Sequence, residues 1–504
     1  MKYKSTRSSN VSVTSAQAIA QGIADDGGLF VPESFPQFSY SDLCELSHLS
    51  YTERAVRILS EYLTDFDCDE IEEAVHKAYA DGKFDYDTPA PLVHLQKGWV
   101  EMYMLELWHG PTCAFKDMAL QLLPHLLTKS LQKIHSNKTA VILVATSGDT
   151  GKAALEGFKN VDGTRILVFY PQNGVSPMQK RQMITQEGNN VFVCAIEGNF
   201  DDAQTGVKKI FTDANLNELL AHNGMMFSSA NSINWGRLLP QIVYYFSAYC
   251  DLIAKGELKR EGQEINIVVP TGNFGNILAA YYAKKMGLPV HRLICASNSN
   301  NVLTEFIRTG VYNRGRQFFT TISPSMDILV SSNLERLVFD LTGNDSARVA
   351  GWMKDLSETG KYQVGADVLE QIQSLFYAGC CDDDATRATI KDIYHEENYL
   401  CDTHTAVAVN VYHQYINDTN DLGTPTVIAS TASPYKFADS VLGSLSQDYL
   451  RDASEFCKVQ ELSELTGTPV PAPIAALASK PVRFHNSCTK GTMGEMVLKA
   501  AGIE

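Results

Sequence analysis

The sequence predicts an α/β protein of two open, mostly parallel-sheet lobes preceded by a mainly helical region. Short apolar, β-branched runs at 140–145, 166–170 and 191–196 alternate with helical patterns. A second series of such runs follows at 265–269, 293–296 and 426–429. Unbroken apolar strands separated by helices indicate parallel sheets covered on both faces, and two series indicate two lobes. The first hundred residues carry helical spacing instead.

In chain order, Ser50 and Glu53 form a capping box ahead of Ala55, Val56, Leu59, Tyr62 and Leu63 at helical spacing. A helix from about Asp69 places Ile71, Val75, Ala78 and Tyr79 on one face before Gly82 ends it. Residues 1–98 therefore form the helical N-terminal region, 99–240 the first lobe and 241–504 the second, although no linker or repeat marks the division near 240. The stretch 331–398 reads as mostly helical and charged, packed around the second lobe. Its acidic run Asp382-Asp383-Asp384 reads better as the dipole-complementing start of a helix over 385–394 than as a metal site.

At 504 residues the chain is long enough for two or three structural units at about 150 residues each. Its 42 Lys+Arg against 58 Asp+Glu give a net charge of −16 without a basic patch, which disfavours nucleic acid as a partner. The most apolar stretch, 242–250, falls short of the ~20 residues a membrane helix needs. The N-terminus lacks the apolar core of a signal peptide, and eleven cysteines include no Cys-x-x-Cys pair. A reduced, cytoplasmic setting is expected.

Three segments carry chemistry. Two Gly-rich turns, Thr146-Ser147-Gly148-Asp149-Thr150-Gly151 and Thr271-Gly272-Asn273-Phe274-Gly275-Asn276, stand where a strand hands over to a helix. Unpaired helix N–H groups and close backbone approach suit such turns to anions. Neither matches a P-loop or a dinucleotide fingerprint, and each alone is equally an ordinary strand-to-helix connection. The third segment is His109-Gly110-Pro111-Thr112-Cys113-Ala114-Phe115-Lys116-Asp117. Lys116 opens an apolar helix through Met118, Leu122 and Leu123, where burial and the helix terminus disfavour an ammonium and free the amine as a nucleophile. The competing reading is a snorkelling lysine paired with Asp117.

One nucleophilic lysine with two anion turns is what pyridoxal 5′-phosphate requires: an aldehyde to condense, a phosphate to cradle and a substrate carboxylate to hold. The chain resembles the threonine synthase family, among the fold-type II pyridoxal-phosphate enzymes that include tryptophan synthase β. The resemblance runs nearly end to end, through residues 1–7, 22–33, 109–117, 145–151, 199–202, 231–238, 270–276 and 430–437. It implies Lys116 as the Schiff-base and proton-shuttling lysine, and Gly272, Asn273, Phe274, Gly275 and Asn276 as the holders of the cofactor phosphate. Thr146, Ser147, Gly148 and Thr150 would hold the substrate carboxylate. Asp149 would stand near the pyridine 3′-oxygen and Thr431 would face the pyridine nitrogen, making the ring a milder electron sink than a carboxylate would. Asn234 and Arg237, in the family's 231–237 segment, would bind substrate, Arg237 through paired N–H groups to its phosphate, with a structural ion pair as the competing role.

Two places depart from the family pattern. Thr431-Ala432-Ser433-Pro434 stands for Thr-Ala-His-Pro, and Asp402-Thr403-His404-Thr405-Ala406 for Asp-Pro-His-Thr-Ala. Neither touches the lysine or the phosphate turn. The resemblance implies a monomer or homodimer that makes L-threonine and phosphate from O-phospho-L-homoserine and water. The alternatives are another fold-type II lyase, such as a threonine or serine dehydratase, or a catalytically silent relative. The 231–237 segment and the N-terminal match argue against the first, and the intact lysine and turns against the second.

Overall fold

The two series of apolar runs become two sheets in the computed structural model, which describes residues 1–503 apart from Asp81, Ser147, Asn173, Gly174 and Leu450. One sheet has the order Ser487–Cys488, Val191–Ile196, Thr164–Pro171, Thr139–Ala145, Met225–Ser228, with every pair parallel. The other runs Phe376–Cys380, Val290–Ser297, Ile265–Pro270, Thr426–Ser430, Met102–Glu106, Leu92–Leu95, parallel except for the antiparallel last pair. Helices cover both faces, so strand residues such as Ile142, Val168 and Val268 have no exposed surface. That is why these strands read as unbroken apolar runs.

The expected division at residue 240 does not follow the sheets. Met102–Glu106, the strand that leads into the lysine segment, pairs with Thr426–Ser430 in the second sheet. Ser487–Cys488, from the far end of the chain, extends the first beside Val191–Ile196. Parallel pairing needs a crossover connection, so neighbours in a sheet need not be neighbours in the chain. The helical stretch 331–398 likewise contains an edge strand, Phe376–Cys380, between the helices Ala366–Leu375 and Asp383–Glu397. Asp382 caps the latter by accepting from the Ala385 N–H.

The N-terminal region holds the helices Ser15–Gln21, Tyr40–Ser47, Tyr51–Tyr62 and Cys68–Tyr79 with a small antiparallel pair, Tyr3–Ser5 and Phe30–Pro32. Ser50 and Glu53 form the expected capping box. This region is riveted to the second lobe by three neighbouring residues. Glu335 accepts from Arg7 Nε and Nη2 at 2.8 and 2.7 Å. Arg336, fully buried, donates to the carbonyls of Phe30 and Ile233. Asn333 donates to the carbonyls of Ser232 and Asn273. The same three residues thus tie the N-terminal strands to both the 231–237 segment and the Gly272 turn.

Between these parts lies the helix Trp235–Lys255, buried continuously from Trp235 to Cys250. It contains Pro240, which in a helix interior costs ~3 kcal/mol. Burial of its large side chains at roughly 1.5–3 kcal/mol each outweighs that. The apolar stretch 242–250 is therefore core; among the described residues no helix is long and apolar enough to cross a membrane.

Candidate active site

Both Gly-rich turns and the lysine segment sit at the C-terminal ends of parallel strands, where loops of an α/β sheet build ligand sites. The lysine segment is bound to the end of Thr426–Ser430: the Phe115 N–H donates to the Thr431 carbonyl at 2.8 Å, and the Ser433 N–H donates to Cys113 O at 3.1 Å. Thr431 is thereby placed beside the residue that precedes Lys116. Ser433 also caps the following turn, accepting from the Tyr435 N–H.

Lys116 is buried, with Nζ 3.6 Å from Asp149 Oδ2, 3.5 Å from Ser325 Oγ and 4.7 Å from the centre of the Phe115 ring. Burial lowers its pKa and outweighs the nearby Asp149 carboxylate; Lys436 and Arg237 push the same way as burial, and the result is about 8. The adjacent Asp117 is not its ion-pair partner. Its carboxylate accepts from the Thr112 N–H and hydroxyl at 2.8 and 2.7 Å, and burial pushes it up to about 6.

Asp149 opens the helix Asp149–Phe158. Its Oδ1 meets Lys436 Nζ at 2.7 Å and Gln179 Nε2 at 3.0 Å, and its Oδ2 accepts from Ser325 Oγ at 3.2 Å. Burial works against its charge, but the Lys436 and Lys116 ammoniums hold it well below the usual carboxylate range. In the turn before it, the Thr146 hydroxyl accepts from the Gly148 and Gly151 N–H groups at 3.0 and 2.9 Å, so this side chain shapes the turn. Gly148 has φ +145, and a Cβ there would lie 2.4 Å from the Gln179 side chain. Thr150 is half-buried in the first helical turn. Ser147 lies outside the described residues.

The second turn opens the helix Gly275–Lys285. Phe274 takes a left-handed φ of 62°, and a Cβ on Gly272 would lie 2.7 Å from Ser325 O. The carbonyls of Gly272 and Asn273 are held by Ser331 Oγ and Asn333. Asn276 receives the hydroxyls of Tyr244 and Tyr245 on its Oδ1, whereas its buried Nδ2 has no partner among the described residues. An orphaned amide donor beside a glycine-bearing helix start is the chemistry a phosphate monoester satisfies. With the Lys116 amine connected through Ser325 to the same turn, these residues fit pyridoxal phosphate.

Of the two residues expected at the substrate from the 231–237 segment, Asn234 holds the fold together. Its Nδ2 donates to the Ile19 and Ser229 carbonyls, both at 3.0 Å, and its Oδ1 caps the Gly236 N–H at 2.9 Å. These bonds follow from its place at the helix N-terminus, where the amide secures the N-terminal region. Arg237 differs. Its Nη1 donates to Ala230 O at 2.9 Å, burial alone lowers its pKa to about 10, and it has no carboxylate partner among the described residues. The competing structural ion pair is therefore not formed there, and the guanidinium retains donors for an anion.

Sequence reasoning missed Ser325, Lys436 and Gln179. Ser325 reaches the site from the short turn Pro324–Met326, its N–H donating at 3.1 Å to His404 Nε2, whose Nδ1 faces Asp402 Oδ2 at 2.6 Å. His404 thus positions the turn that touches Lys116. Lys436 carried a signal of the same kind as Lys116, a lysine among Pro434, Tyr435 and Phe437; Ser325 and Gln179 carried none.

Three family patterns match the chain: Threonine synthase N terminus over residues 2–79, Pyridoxal-phosphate dependent enzyme over 84–366, and Threonine synthase, C-terminal over 405–490. Threonine synthase from Saccharomyces cerevisiae is 38% identical over 88% of this chain and 89% of its own length. Human threonine synthase-like 1 is 41% identical over 87% of this chain, which spans only 59% of that longer relative. Among solved structures, the PLP-bound threonine synthase from Brucella melitensis superposes with a TM-score of 0.86 at 37% identity, covering 99% of both chains.

Proposed function

Because the chain belongs to the threonine synthase family of pyridoxal-phosphate-dependent enzymes, we propose that it converts O-phospho-L-homoserine and water to L-threonine and phosphate. The observation that carries this reading is Arg237, a buried guanidinium without a carboxylate partner among the described residues, close enough to depress the Lys116 pKa. A substrate that brings a phosphate supplies the missing anion, and guanidinium binds phosphate with paired N–H groups.

Pyridoxal phosphate, when bound, supplies an electron sink that makes hydrogens near the substrate amine acidic. Residues Gly272–Asn276 would hold its phosphate, with the Asn276 amide and the first-turn N–H groups as donors. Lys116 would hold the aldehyde end of the cofactor, and its Nζ would move protons at the substrate; burial brings its pKa to about 8, so it gives and takes them readily. Ser325 and Asp149 keep that nitrogen within reach of the substrate carbons. The 146–150 turn would orient the substrate carboxylate at its helix start, Arg237 would receive the substrate phosphate, and Thr431 would offer its hydroxyl to the ring nitrogen. Lys116 and Asp149 are buried, which keeps bulk solvent away from the reacting nitrogen.

This reading includes a cytoplasmic setting, in which eleven unpaired cysteines stay reduced, and a monomer or homodimer acting on a small molecule without a nucleic-acid partner. The test is phosphate release from O-phospho-L-homoserine by purified protein with added cofactor, compared with 2-oxoacid formation from threonine and serine. Turnover of phosphohomoserine with threonine as product supports the assignment. Preference for the unphosphorylated amino acids would make the protein a dehydratase, and cofactor uptake without turnover of any of them would make it a silent relative.

A further inference from the structure

Asp149 divides its two oxygens between different neighbours. Oδ2 faces the working side, Lys116 Nζ at 3.6 Å and Ser325 Oγ at 3.2 Å. Oδ1 faces Lys436 Nζ at 2.7 Å and Gln179 Nε2 at 3.0 Å. The Lys436 side chain has no exposed surface, and its Nζ also donates to the Thr112 carbonyl at 2.9 Å. Thr112 belongs to the lysine segment, so one ammonium pins Asp149 to the loop that carries Lys116.

A carboxylate this enclosed needs a permanent counter-charge, because an uncompensated buried charge is strongly destabilising. Lys116 cannot be that partner throughout. To attack an aldehyde its amine must shed a proton, which removes the positive charge nearest Oδ2. The charged groups acting on Lys116 are Asp149 from the helix Asp149–Phe158, Lys436 from the turn Pro434–Phe437 and Arg237 from the helix Trp235–Lys255. Of these cations only Lys436 is in contact with Asp149.

We propose that Lys436 is a positioning residue for the cofactor lysine: it is the fixed counter-ion of Asp149, keeping that carboxylate charged and in place while Lys116 changes its own charge. Lys436 acts through Asp149 and makes no bond to the reacting atoms. The inference rests on the cofactor assignment and is independent of which substrate is used.

The test compares Lys436→Met, Asp149→Asn and the double variant with the parent protein, all freed of cofactor. Two readouts need no substrate: affinity for pyridoxal phosphate, from the imine absorbance and fluorescence, and the pH midpoint for acylation of Lys116, followed by mass spectrometry. Lys436→Met should weaken cofactor affinity by about tenfold or more, since it strands a buried carboxylate. It should also raise the acylation midpoint, because a cation that disfavours the ammonium is gone. In the double variant a neutral amide needs no counter-ion, so cofactor affinity should exceed that of Lys436→Met by about threefold or more, while staying below the parent's because the Asp149 carboxylate no longer holds Lys116. If Lys436→Met does not fold, recovery of folding and binding in the double variant supports the proposal equally. Parent-like values for Lys436→Met in both readouts would overturn the proposal, as would a double variant no better than Lys436→Met.

Discussion

Ser325 and Asp149, 176 residues apart in the chain, meet at 3.2 Å, the serine hydroxyl donating to the carboxylate while standing 3.5 Å from Lys116 Nζ. This contact joins the two lobes at the site, since Asp149 opens a helix of the first sheet and Ser325 O closes over Gly272 at the end of a strand of the second. The lysine is held where the two meet, and four consequences can be measured.

Lys116→Ala should abolish the visible imine absorption and all turnover while leaving the thermal midpoint of the apoprotein close to the parent's. The side chain lies at the site, and its loss removes an ammonium that burial already disfavours. Retention of both absorption and turnover would show that another amine holds the cofactor.

Arg237→Met should raise KM for O-phospho-L-homoserine while changing kcat much less. Hydrogen bonds to charged groups contribute about 1.5–3 kcal/mol, or roughly tenfold to a hundredfold in KM. Steady-state kinetics at saturating cofactor reads the split. An unchanged KM would return Arg237 to a purely structural role through its bond to Ala230.

Gly272→Ala would bring a Cβ to 2.7 Å from the Ser325 carbonyl, a backbone contact that cannot rotate away. Overpacking of this kind costs about 1–3 kcal/mol, and the turn or the Ser325 segment must shift to relieve it. Cofactor affinity measured by fluorescence should fall by about fivefold to a hundredfold, with Lys116 still reactive in the apoprotein. An unaltered affinity would place the phosphate away from this turn.

His109 gives the fold a pH dependence. Burial opposes its charge, but Asp85 Oδ1 at 2.7 Å and Glu106 Oε2 at 2.9 Å outweigh burial and bring its pKa up to about 9. Because the folded value lies above the unfolded value of about 6.5, the stabilisation is complete below about pH 6.5 and is lost as pH rises through about 9. His109→Gln should lower the urea midpoint at pH 6 and have little effect at pH 9.5. An equal loss at both pH values would mean that the imidazole contributes by packing on Trp108 instead of by charge.

The local alphabet of this protein was legible from its residues alone: the apolar runs of both sheets, the capping box at Ser50, the two Gly-rich turns and the lysine that precedes them. Those features depend on backbone preferences and periodicities that act over a few residues. Tertiary structure decided what a one-dimensional pattern cannot encode. An apolar run specifies a buried strand without specifying its sheet, which is why Met102–Glu106 lies beside Thr426–Ser430. Asn234 and Arg237 are both polar residues in one short segment, yet packing commits the first to Ile19 and Ser229 and leaves the second with donors unused. Lys436 reaches Thr112 across 324 residues, and the charge of Asp149 depends on that reach. Electrostatic partnership is set by distance and burial, and both exist only once the chain has closed on itself.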